Sequence, residues 1–408
     1  MSVITIFSGS FCKENLVSDV LLKTGYTLIT DKEIVAEASR ISGIAETKIS
    51  RTFSAKTSVF NKFTHEKERS IAHLRFAIAQ TLSEDNLLIS GFTSQLMPKD
   101  VSHVLRVCLI ADMKFRITEG AEEEGMPEKD VIKIIQKHDE DCAVWINTLF
   151  EKNDPWDPEL YDMVIPVEKK GVDEIAALIK ENADKNVVQR TERSKKVVND
   201  FLLGARVNVA LAKEGHNVGV KAEDGAITLT MNKHVLMLSR LEEELKSIAD
   251  KVPGVKSVET KVGADFYQTD VYRKHDFEMP SKVLLVDDER EFVQTLSERL
   301  LMRDMGSAVA YDGESALSLV EEDEPEVMIL DLKMPGIDGI EVLRRVKDTN
   351  PEIEVIILTG HGSDEDRKVC MDLGAFAYLH KPVDIDVLSE TLKKANEKVQ
   401  SKKDQMKH

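Results

Sequence analysis

Short apolar runs recur in the last third of the chain, and each is followed by a stretch with helical periodicity. The four runs span residues 283–286, 327–330, 355–358 and 377–380. Short apolar runs that alternate with helical stretches predict buried parallel strands. Because parallel strands end at the same edge of a sheet, the polar side chains that follow these runs should meet there.

The residues that directly follow the runs combine three acids with a hydroxyl and an ammonium group: Asp287, Asp288, Asp331, Thr359 and Lys381. Three carboxylates in one place repel each other unless a cation lies among them. Oxygen ligands that leave room for water suit Mg²⁺. One carboxylate could then accept a phosphoryl group, while the metal ion and the lysine neutralise its charge. Thr359 and Lys381 could each hold one phosphoryl oxygen.

These residues lie in four motifs whose order and spacing carry a resemblance to a known family. The motifs read VLLVDD, ILDLKMPGIDGIEVL, VIILTGHG and AYLHKP. Together they are similar to the response regulator receiver domain over residues 281–400. The resemblance implies a flavodoxin-like (βα)5 fold that accepts a phosphoryl group from a sensor histidine kinase.

The resemblance also assigns the metal site. It implies that Asp331 is the phosphoacceptor and that Mg²⁺ is held by Asp288, Asp331 and the backbone carbonyl of Lys333, with Asp287 acting through water. Lys333 and His361 would flank the pocket. Two interpretations of this flanking pair stay open: they tune the access of water to the phosphoryl group, or they are simple surface residues.

A switch pair and a clamp complete the set that the resemblance implies. Thr359 and Tyr378 would be the switch pair, and Lys381 would hold the phosphoryl group. The bond between Lys381 and Pro382 would be cis, which would turn the lysine back over the site.

The bulk composition limits the classes of protein that fit. The chain has 408 residues, 42% of them hydrophobic, and a net charge of −18. At about 100–200 residues per domain, this length predicts several domains. The acidic balance argues against nucleic acid as a partner. Four well-separated cysteines, Cys12, Cys108, Cys142 and Cys370, predict reduced thiols. With no signal peptide and no membrane-spanning run, we expect a cytoplasmic protein without membrane association.

The first segment, residues 1–182, predicts an α/β layered domain. An apolar run at 3–7, a small-residue turn and a helical stretch at 16–22 form a layout that can present backbone N–H groups to phosphate. Further strands are predicted at 86–89, 105–110 and 164–165, and one long helical stretch at 119–150. Of the phosphate-binding pattern GxxxxGK[ST], only single elements are present, Gly9 and Lys13 among them.

The segment resembles the cytidylate-kinase-like family of P-loop kinases. The motifs are ITIFSGS, ITDKEIV, LLISGF, VLRVCLIADMKFRI and DPELYDMVI. The resemblance implies Gly9, Ser10, Lys13 and Arg116 as nucleotide-binding residues. The glycine-rich loop is shortened, however, and Cys142 stands where the family places its lid arginine.

These losses bear on activity, because phosphoryl transfer between nucleotides depends on cations placed around the phosphates. Losing one such arginine typically costs several kcal/mol of transition-state stabilisation. The sequence therefore predicts a degenerate kinase fold that is used for binding or signalling. The alternative is an active nucleoside monophosphate kinase gated by the receiver.

The middle segment, residues 187–263, predicts a small α+β domain. Helical periodicity covers 197–211 and 235–252, and an Asp-Gly turn at Asp224 and Gly225 predicts a hairpin between them. A last strand is predicted from 255 to 262. EDGAITLT and ADKVPGVKSVETKV resemble the BON domain, a family linked to membrane or lipid association. A small interaction module and a lipid-binding module are the two hypotheses.

The combined prediction is an α/β multidomain protein, with a linker at 264–280 before the receiver. The first functional hypothesis is a two-component phosphorelay response regulator. Phosphorylation of Asp331 would change contacts with the N-terminal domains or with a downstream protein partner. The alternative is a receiver-gated cytidylate or nucleoside monophosphate kinase. A third hypothesis is a structural adaptor in which the receiver serves to form a homodimer.

Overall fold

The computed structural model describes residues 2–56, 58–232, 238–263, 280, 282–303, 305–360 and 362–405. The chain divides into two compact units, and the second combines residues 58–66 with 273–408. Almost all of the predicted linker at 264–280 lies outside the described residues. Among the described residues, no helix is both long and apolar enough to cross a bilayer.

The first unit contains a parallel five-stranded sheet with the order β2-β3-β1-β4-β5. Its strands are β1 (Val3–Ser8), β2 (Thr27–Thr30), β3 (Leu87–Ser90), β4 (Val104–Ile110) and β5 (Met163–Pro166). The central strand β1 is buried along its whole length, and apolar clusters cover both faces of the sheet. This burial on both faces explains why β1 reads as a continuous apolar run.

Seven helices described in the first unit accompany this sheet along the chain. They are α1 (Glu14–Leu22), α2 (Asp31–Ser42), α3 (Glu46–Ser50), α5 (Glu66–Thr81), α6 (Met113–Glu124), α7 (Glu128–Phe150) and α8 (Val172–Ala183). The short helix α4 (Asn61–Thr64) belongs to the second unit. The prediction of one helical stretch at 119–150 is wrong. Gly125 ends α6 with a φ of 63°, and Pro127 caps the start of α7. A left-handed glycine is a common helix stop, and proline cannot continue the backbone ladder.

Two strands have no counterpart in the predicted runs. They are β2 and, in the second unit, β10 (Ser307–Ala310). Both are edge strands, and neither carries a fully buried apolar run. An edge strand has one neighbour and more exposed side chains, which removes the pattern that identifies a central strand.

The middle of the chain forms a three-stranded sheet with two helices. The elements are α9 (Glu192–Lys213), β6 (Gly219–Glu223), β7 (Ala226–Met231), α10 (Leu238–Asp250) and β8 (Ser257–Val262). The predicted hairpin is confirmed: β6 and β7 pair antiparallel, and both Asp224 and Gly225 have positive φ. The helix predicted at 235–252 is described from 238 to 250. This order matches the predicted order of elements.

The second unit contains another parallel five-stranded sheet, with alternating helices. The elements are β9 (Val283–Val286), α11 (Arg290–Leu301), β10, α12 (Gly313–Glu322), β11 (Val327–Leu330), α13 (Gly339–Thr349), β12 (Glu354–Thr359), α14 (Asp364–Asp372), β13 (Ala377–His380) and α15 (Ile385–Gln405). The strand order β10-β9-β11-β12-β13 is the flavodoxin-like order, in which a ligand crevice lies at the carboxyl ends of the strands. The four predicted strands are confirmed.

The register of the sheet sets which side chains meet at its carboxyl edge. Val286 pairs with Leu330, and the N–H of Asp331 donates to the carbonyl of Val286 at 2.9 Å. Thr359 pairs with His380 on the neighbouring strands. The residues that follow β9, β11 and β13 therefore come to one rim.

The opposite, amino edge of this sheet holds a fully buried acid. Glu354 at the start of β12 accepts hydrogen bonds from Lys402 at 2.9 Å and Lys398 at 3.1 Å, and Lys347 lies 3.9 Å away. Burial opposes ionisation of this carboxyl. The surrounding ammonium groups outweigh burial and lower the pKa of Glu354. Glu354 is therefore a buried carboxylate whose charge is balanced by neighbouring lysines.

Candidate functional site

Three carboxylates meet at the carboxyl edge of the second sheet. Asp287 and Asp288 follow β9, Asp331 follows β11, and one oxygen from each lies within 4.8 Å of the others. Asp331 is 5% exposed, and its Oδ1 has no hydrogen-bond partner in the described part of the chain. A buried carboxylate oxygen without a partner calls for an unseen cation or donor. Oxygen ligands in this arrangement fit Mg²⁺.

One ammonium group reaches into the acid cluster. Lys381 Nζ lies 2.7 Å from Asp287 Oδ2, 2.9 Å from Glu289 Oε1 and 3.9 Å from Asp331 Oδ2. The bond between Lys381 and Pro382 is cis, as the family resemblance implies. The lysine is thus shared between two other acids and lies at the edge of contact with Asp331.

Burial and charge act in opposite directions on these groups. Burial raises the pKa of Asp287, and the hydrogen bonds from Lys381 and from the N–H of Glu289 offset it only in part. Burial by itself would lower the pKa of Lys381, but its bonds to Asp287 and Glu289 raise it above the usual value. One ammonium group therefore does not fully compensate the carboxylates at this rim.

A glycine fixes the loop that carries Asp331. Gly339 opens α13, and its N–H donates to the carbonyl of Leu332 at 3.0 Å. A Cβ atom on Gly339 would overlap the carbonyl oxygen of Asp331 and lie 2.8 Å from the Cα of Leu332. Lys333, whose backbone carbonyl is a predicted metal ligand, lies in this loop with its side chain exposed. His361, the other predicted flanking residue, lies outside the described residues.

The predicted switch residues lie on the two strands beside the acid cluster. Thr359 is fully buried at the end of β12, and Tyr378 is buried on β13. The N–H of Lys381 donates to the carbonyl of Thr359 at 3.0 Å, so the end of β12 is hydrogen-bonded to the backbone of the lysine. The sequence motifs assigned no role to Glu289, which directly follows VLLVDD, or to Gly339, which lies inside ILDLKMPGIDGIEVL.

The first unit has a second candidate site at the loop between β1 and α1. A cavity of about 180 Å³ is lined by residues 8–16 together with Glu123 and His138. Three predicted nucleotide-binding residues, Gly9, Ser10 and Lys13, lie in this loop. Three of the four predicted residues therefore line this cavity, and the fourth, Arg116, reaches the loop through the carbonyl of Ser10.

The cations at this loop already have acidic partners. Lys13 Nζ lies 3.0 Å from Glu119 Oε1. Arg116 donates two hydrogen bonds to Asp139, at 2.7 and 2.8 Å, and a third to the carbonyl of Ser10 at 2.9 Å. A guanidinium held by both oxygens of a carboxylate is engaged in its strongest mode of binding. Both predicted cations are therefore engaged in ion pairs within the domain.

An acid also lies at the end of this loop. The Glu14 carboxylate accepts hydrogen bonds from the hydroxyls of Ser8 and Ser90, and burial raises its pKa. Cys142, where the family places its lid arginine, is fully buried with its sulfur 3.5 Å from Nδ1 of His138. The departures noted in the sequence therefore leave the loop short of cations.

The fold and the acid pocket of the second unit define a receiver domain. Residues 283–393 match the family model described as response regulator receiver domain. Sporulation initiation phosphotransferase F of Bacillus subtilis (strain 168) is 36% identical over 116 residues, which cover 28% of this chain and 94% of that protein. The chain belongs to the response regulator receiver family.

Two further comparisons show how far this similarity extends. Response regulator MprA of Mycolicibacterium vanbaalenii is 36% identical over 110 residues, which are 27% of this chain. The match spans 48% of that relative, so the chain spans about half the length of such proteins. A crystal structure of a receiver domain protein from Clostridium thermocellum is 34% identical, covering 29% of this chain and 96% of that one, with a TM-score of 0.28.

The N-terminal part matches a different family. Residues 3–169 match the model described as cytidylate kinase-like family. The predicted cytidylate-kinase-like domain is therefore confirmed as a likeness of fold and sequence.

Proposed function

We propose that this response regulator accepts a phosphoryl group on Asp331 from a phosphohistidine of a sensor histidine kinase. The observation that carries the proposal is the buried Oδ1 of Asp331, which has no partner in the described part of the chain and lies beside two further carboxylates. An oxygen in this position is a nucleophile without a competing hydrogen bond. Lys381 Nζ lies 3.9 Å from Asp331 Oδ2, which is near enough for it to bind a phosphoryl group attached to Asp331.

The proposed step is a simple displacement at phosphorus. An oxygen of Asp331 forms the new P–O bond while the P–N bond of the donor breaks, and its electron pair stays on the imidazole nitrogen. Asp288, Asp331 and the carbonyl of Lys333 would hold Mg²⁺, with Asp287 acting through water, and the ion would neutralise charge on the transferred group. Lys381 would leave its partners Asp287 and Glu289 in part to hold one phosphoryl oxygen.

The output would follow from the added charge. A phosphoryl group adds about −1.5 to −2 charge at neutral pH. Thr359 would turn toward it, and Tyr378 would follow on the next strand. The altered face would change the contacts of the receiver with a downstream protein, with a second copy or with the rest of the chain, in a cytoplasmic setting.

Acetyl phosphate with Mg²⁺ tests the phosphoacceptor. The wild-type chain should show a phosphate-dependent shift on a phosphate-affinity gel, and Asp331→Asn should show none. Asp348→Asn, an exposed acid on α13, is the matched control and should behave as wild type. An equal shift of Asp331→Asn and wild type would refute Asp331 as the acceptor.

We further propose that the cytidylate-kinase-like domain is not a catalyst. The pairs formed by Lys13 with Glu119 and by Arg116 with Asp139 support this, because each acid offsets positive charge that phosphoryl transfer requires around the phosphates. Incubation of the pure chain with ATP and CMP should yield no CDP. Turnover that is lost in Lys13→Ala or Arg116→Ala would instead establish an active kinase, and a dependence of that turnover on acetyl phosphate would show gating by the receiver.

For residues 187–263 we propose a BON-like interaction module. Its order of helix, hairpin, helix and strand supports the resemblance, together with the turn at Asp224 and Gly225. Co-sedimentation with vesicles that contain anionic lipid separates the two hypotheses for this module. We expect the chain to stay in the supernatant, and salt-dependent pelleting would favour lipid binding.

A further inference from the structure

The ring of Tyr378 is buried on β13 without a polar contact among the described residues. Tyr378 is 9% exposed, and its Oη has no hydrogen-bond partner in the described part of the chain. Its ring belongs to the apolar cluster that includes Cys370 and Ala375. Burial raises the pKa of this phenol. Packing rather than a polar contact therefore holds the ring in place.

Gly362 borders the hydroxyl end of that ring. A Cβ atom at position 362 would overlap Tyr378 Oη and lie 2.9 Å from Cζ of the same ring. It would also lie 3.0 Å from Cγ2 of Thr359. The φ of Gly362 lies outside the left-handed region, so an alanine meets no backbone conflict there. The obstacle to a side chain at this position is space alone.

We propose that Gly362 is a positioning residue that keeps the buried place of Tyr378 open beside Thr359. Alanine at this position forces the ring outward, because the hydroxyl and the new methyl group cannot share one volume. The inference deepens the proposed function, since Thr359 and Tyr378 are its switch pair. It names the residue that permits the buried state of the switch.

Gly360 supplies a matched control on the same loop. A Cβ atom there would lie 3.9 Å from Cβ of Lys381, which is ordinary van der Waals contact. Its φ is also outside the left-handed region. Gly360→Ala thus tests the loss of a loop glycine without the conflict at Tyr378.

The first experiment measures the exposure of Tyr378 in the full chain without any phosphoryl donor. Tetranitromethane nitrates exposed tyrosines, and peptide mass spectrometry reports nitration at Tyr378 relative to Tyr311. We expect several-fold faster nitration of Tyr378 in Gly362→Ala and the wild-type rate in Gly360→Ala. Unchanged nitration of Tyr378 in a folded Gly362→Ala chain would overturn the inference.

A double substitution keeps the test decisive if Gly362→Ala impairs folding. With Tyr378→Ala already present, Gly362→Ala should cause a much smaller further loss in thermal stability, because the ring is gone and only the 3.0 Å contact with Thr359 remains. An equal loss of stability with and without Tyr378 would refute the proposal. The cycle therefore assigns the effect to this one pair.

A last measurement separates this inference from the proposed function. Gly362→Ala should still accept phosphate from acetyl phosphate on Asp331, because the three atoms nearest the new Cβ belong to Tyr378 and Thr359 and not to the carboxylates. Loss of phosphorylation in Gly362→Ala alone would overturn the inference by showing that the acid pocket is disturbed. If the wild-type chain itself takes up no phosphate, the proposed function fails while the nitration result for Tyr378 stands.

Discussion

The two candidate sites of this chain lie at loops that follow buried parallel strands, yet their charges are arranged in opposite ways. In the receiver, Asp331 keeps a buried oxygen without a partner in the described part of the chain. In the cytidylate-kinase-like domain, Lys13 and Arg116 are each neutralised by an acid of the same domain. The two sites therefore differ in whether their central group has a partner: the acceptor oxygen of Asp331 has none among the described residues, whereas Lys13 and Arg116 are both in ion pairs.

The largest difference is expected when a lysine is removed from each site. Lys381→Ala should slow phosphorylation of Asp331 by acetyl phosphate about 100-fold, the typical effect of losing one group that stabilises developing charge. Lys13→Ala should leave that rate unchanged. Quantified phosphate-affinity gels over time measure both rates. A rate for Lys381→Ala equal to wild type would remove the contrast between the sites.

Glu354, the buried acid held by lysines at the amino edge of the receiver sheet, should stabilise the receiver in a pH-dependent way. Glu354→Gln should lower the free energy of unfolding of the receiver by roughly 1–3 kcal/mol at pH 7, because hydrogen bonds from lysines to a buried carboxylate are lost. The folded pKa of Glu354 is lowered, so this stabilisation is full above the unfolded value of about 4.5 and fades as pH falls through the folded value.

Urea-dependent hydrogen exchange of peptides from β12 measures the effect of Glu354→Gln. The control is Glu352→Gln, a half-exposed acid 3.9 Å from Lys402, which should change stability by less than about 0.5 kcal/mol. Equal effects of the two substitutions would show that burial of Glu354 confers no special role.

Removing an acid should weaken Mg²⁺ binding at the receiver site but not at the loop cavity of the other domain. Asp288→Asn should weaken Mg²⁺ binding at least about tenfold, which is about 1.4 kcal/mol, because one of three converging carboxylates is lost. Glu123→Gln, which alters an acid that lines the loop cavity of the other domain, should have no effect. Isothermal titration calorimetry on the full chain measures both. Tight Mg²⁺ binding that survives Asp288→Asn would place the ion elsewhere.

The smallest effect is expected at Glu14, and its sign is opposite to that at Glu354. Burial raises the pKa of Glu14, so the unfolded chain ionises first and stability is lost as pH rises from the unfolded value of about 4.5 toward the folded one. Glu14→Gln should therefore stabilise the domain at pH 7 by less than about 1 kcal/mol. Both tryptophans, Trp145 and Trp156, lie in this domain, so fluorescence in urea reports it. A Glu14→Gln chain that is less stable than wild type, by a margin that grows as pH rises, would contradict a raised pKa of Glu14.

The sequence patterns anticipated the receiver site because each of its groups directly follows a buried strand. Asp287, Asp331, Thr359 and Lys381 could be placed at one rim from strand ends alone. The edge strands β2 and β10 were missed because their side chains are partly exposed and carry no apolar run. The break between α6 and α7 was missed although Gly125 marks it.

Pairing across the fold could not be read from local pattern. The partners of Lys13 and Arg116 lie far along the chain, on α6 and α7. The role of Gly362 depends on an oxygen from another strand. Sequence position identifies which groups face a crevice, whereas their partners depend on how helices fold back over it.

Gly339 has a consequence for how this gene can vary. Hydrogen is the only substituent that fits against the Asp331 carbonyl, so every missense codon at this position should displace the reactive loop. In a saturation library selected for signalling, position 339 should tolerate almost nothing, even though no atom of its side chain takes part in the chemistry.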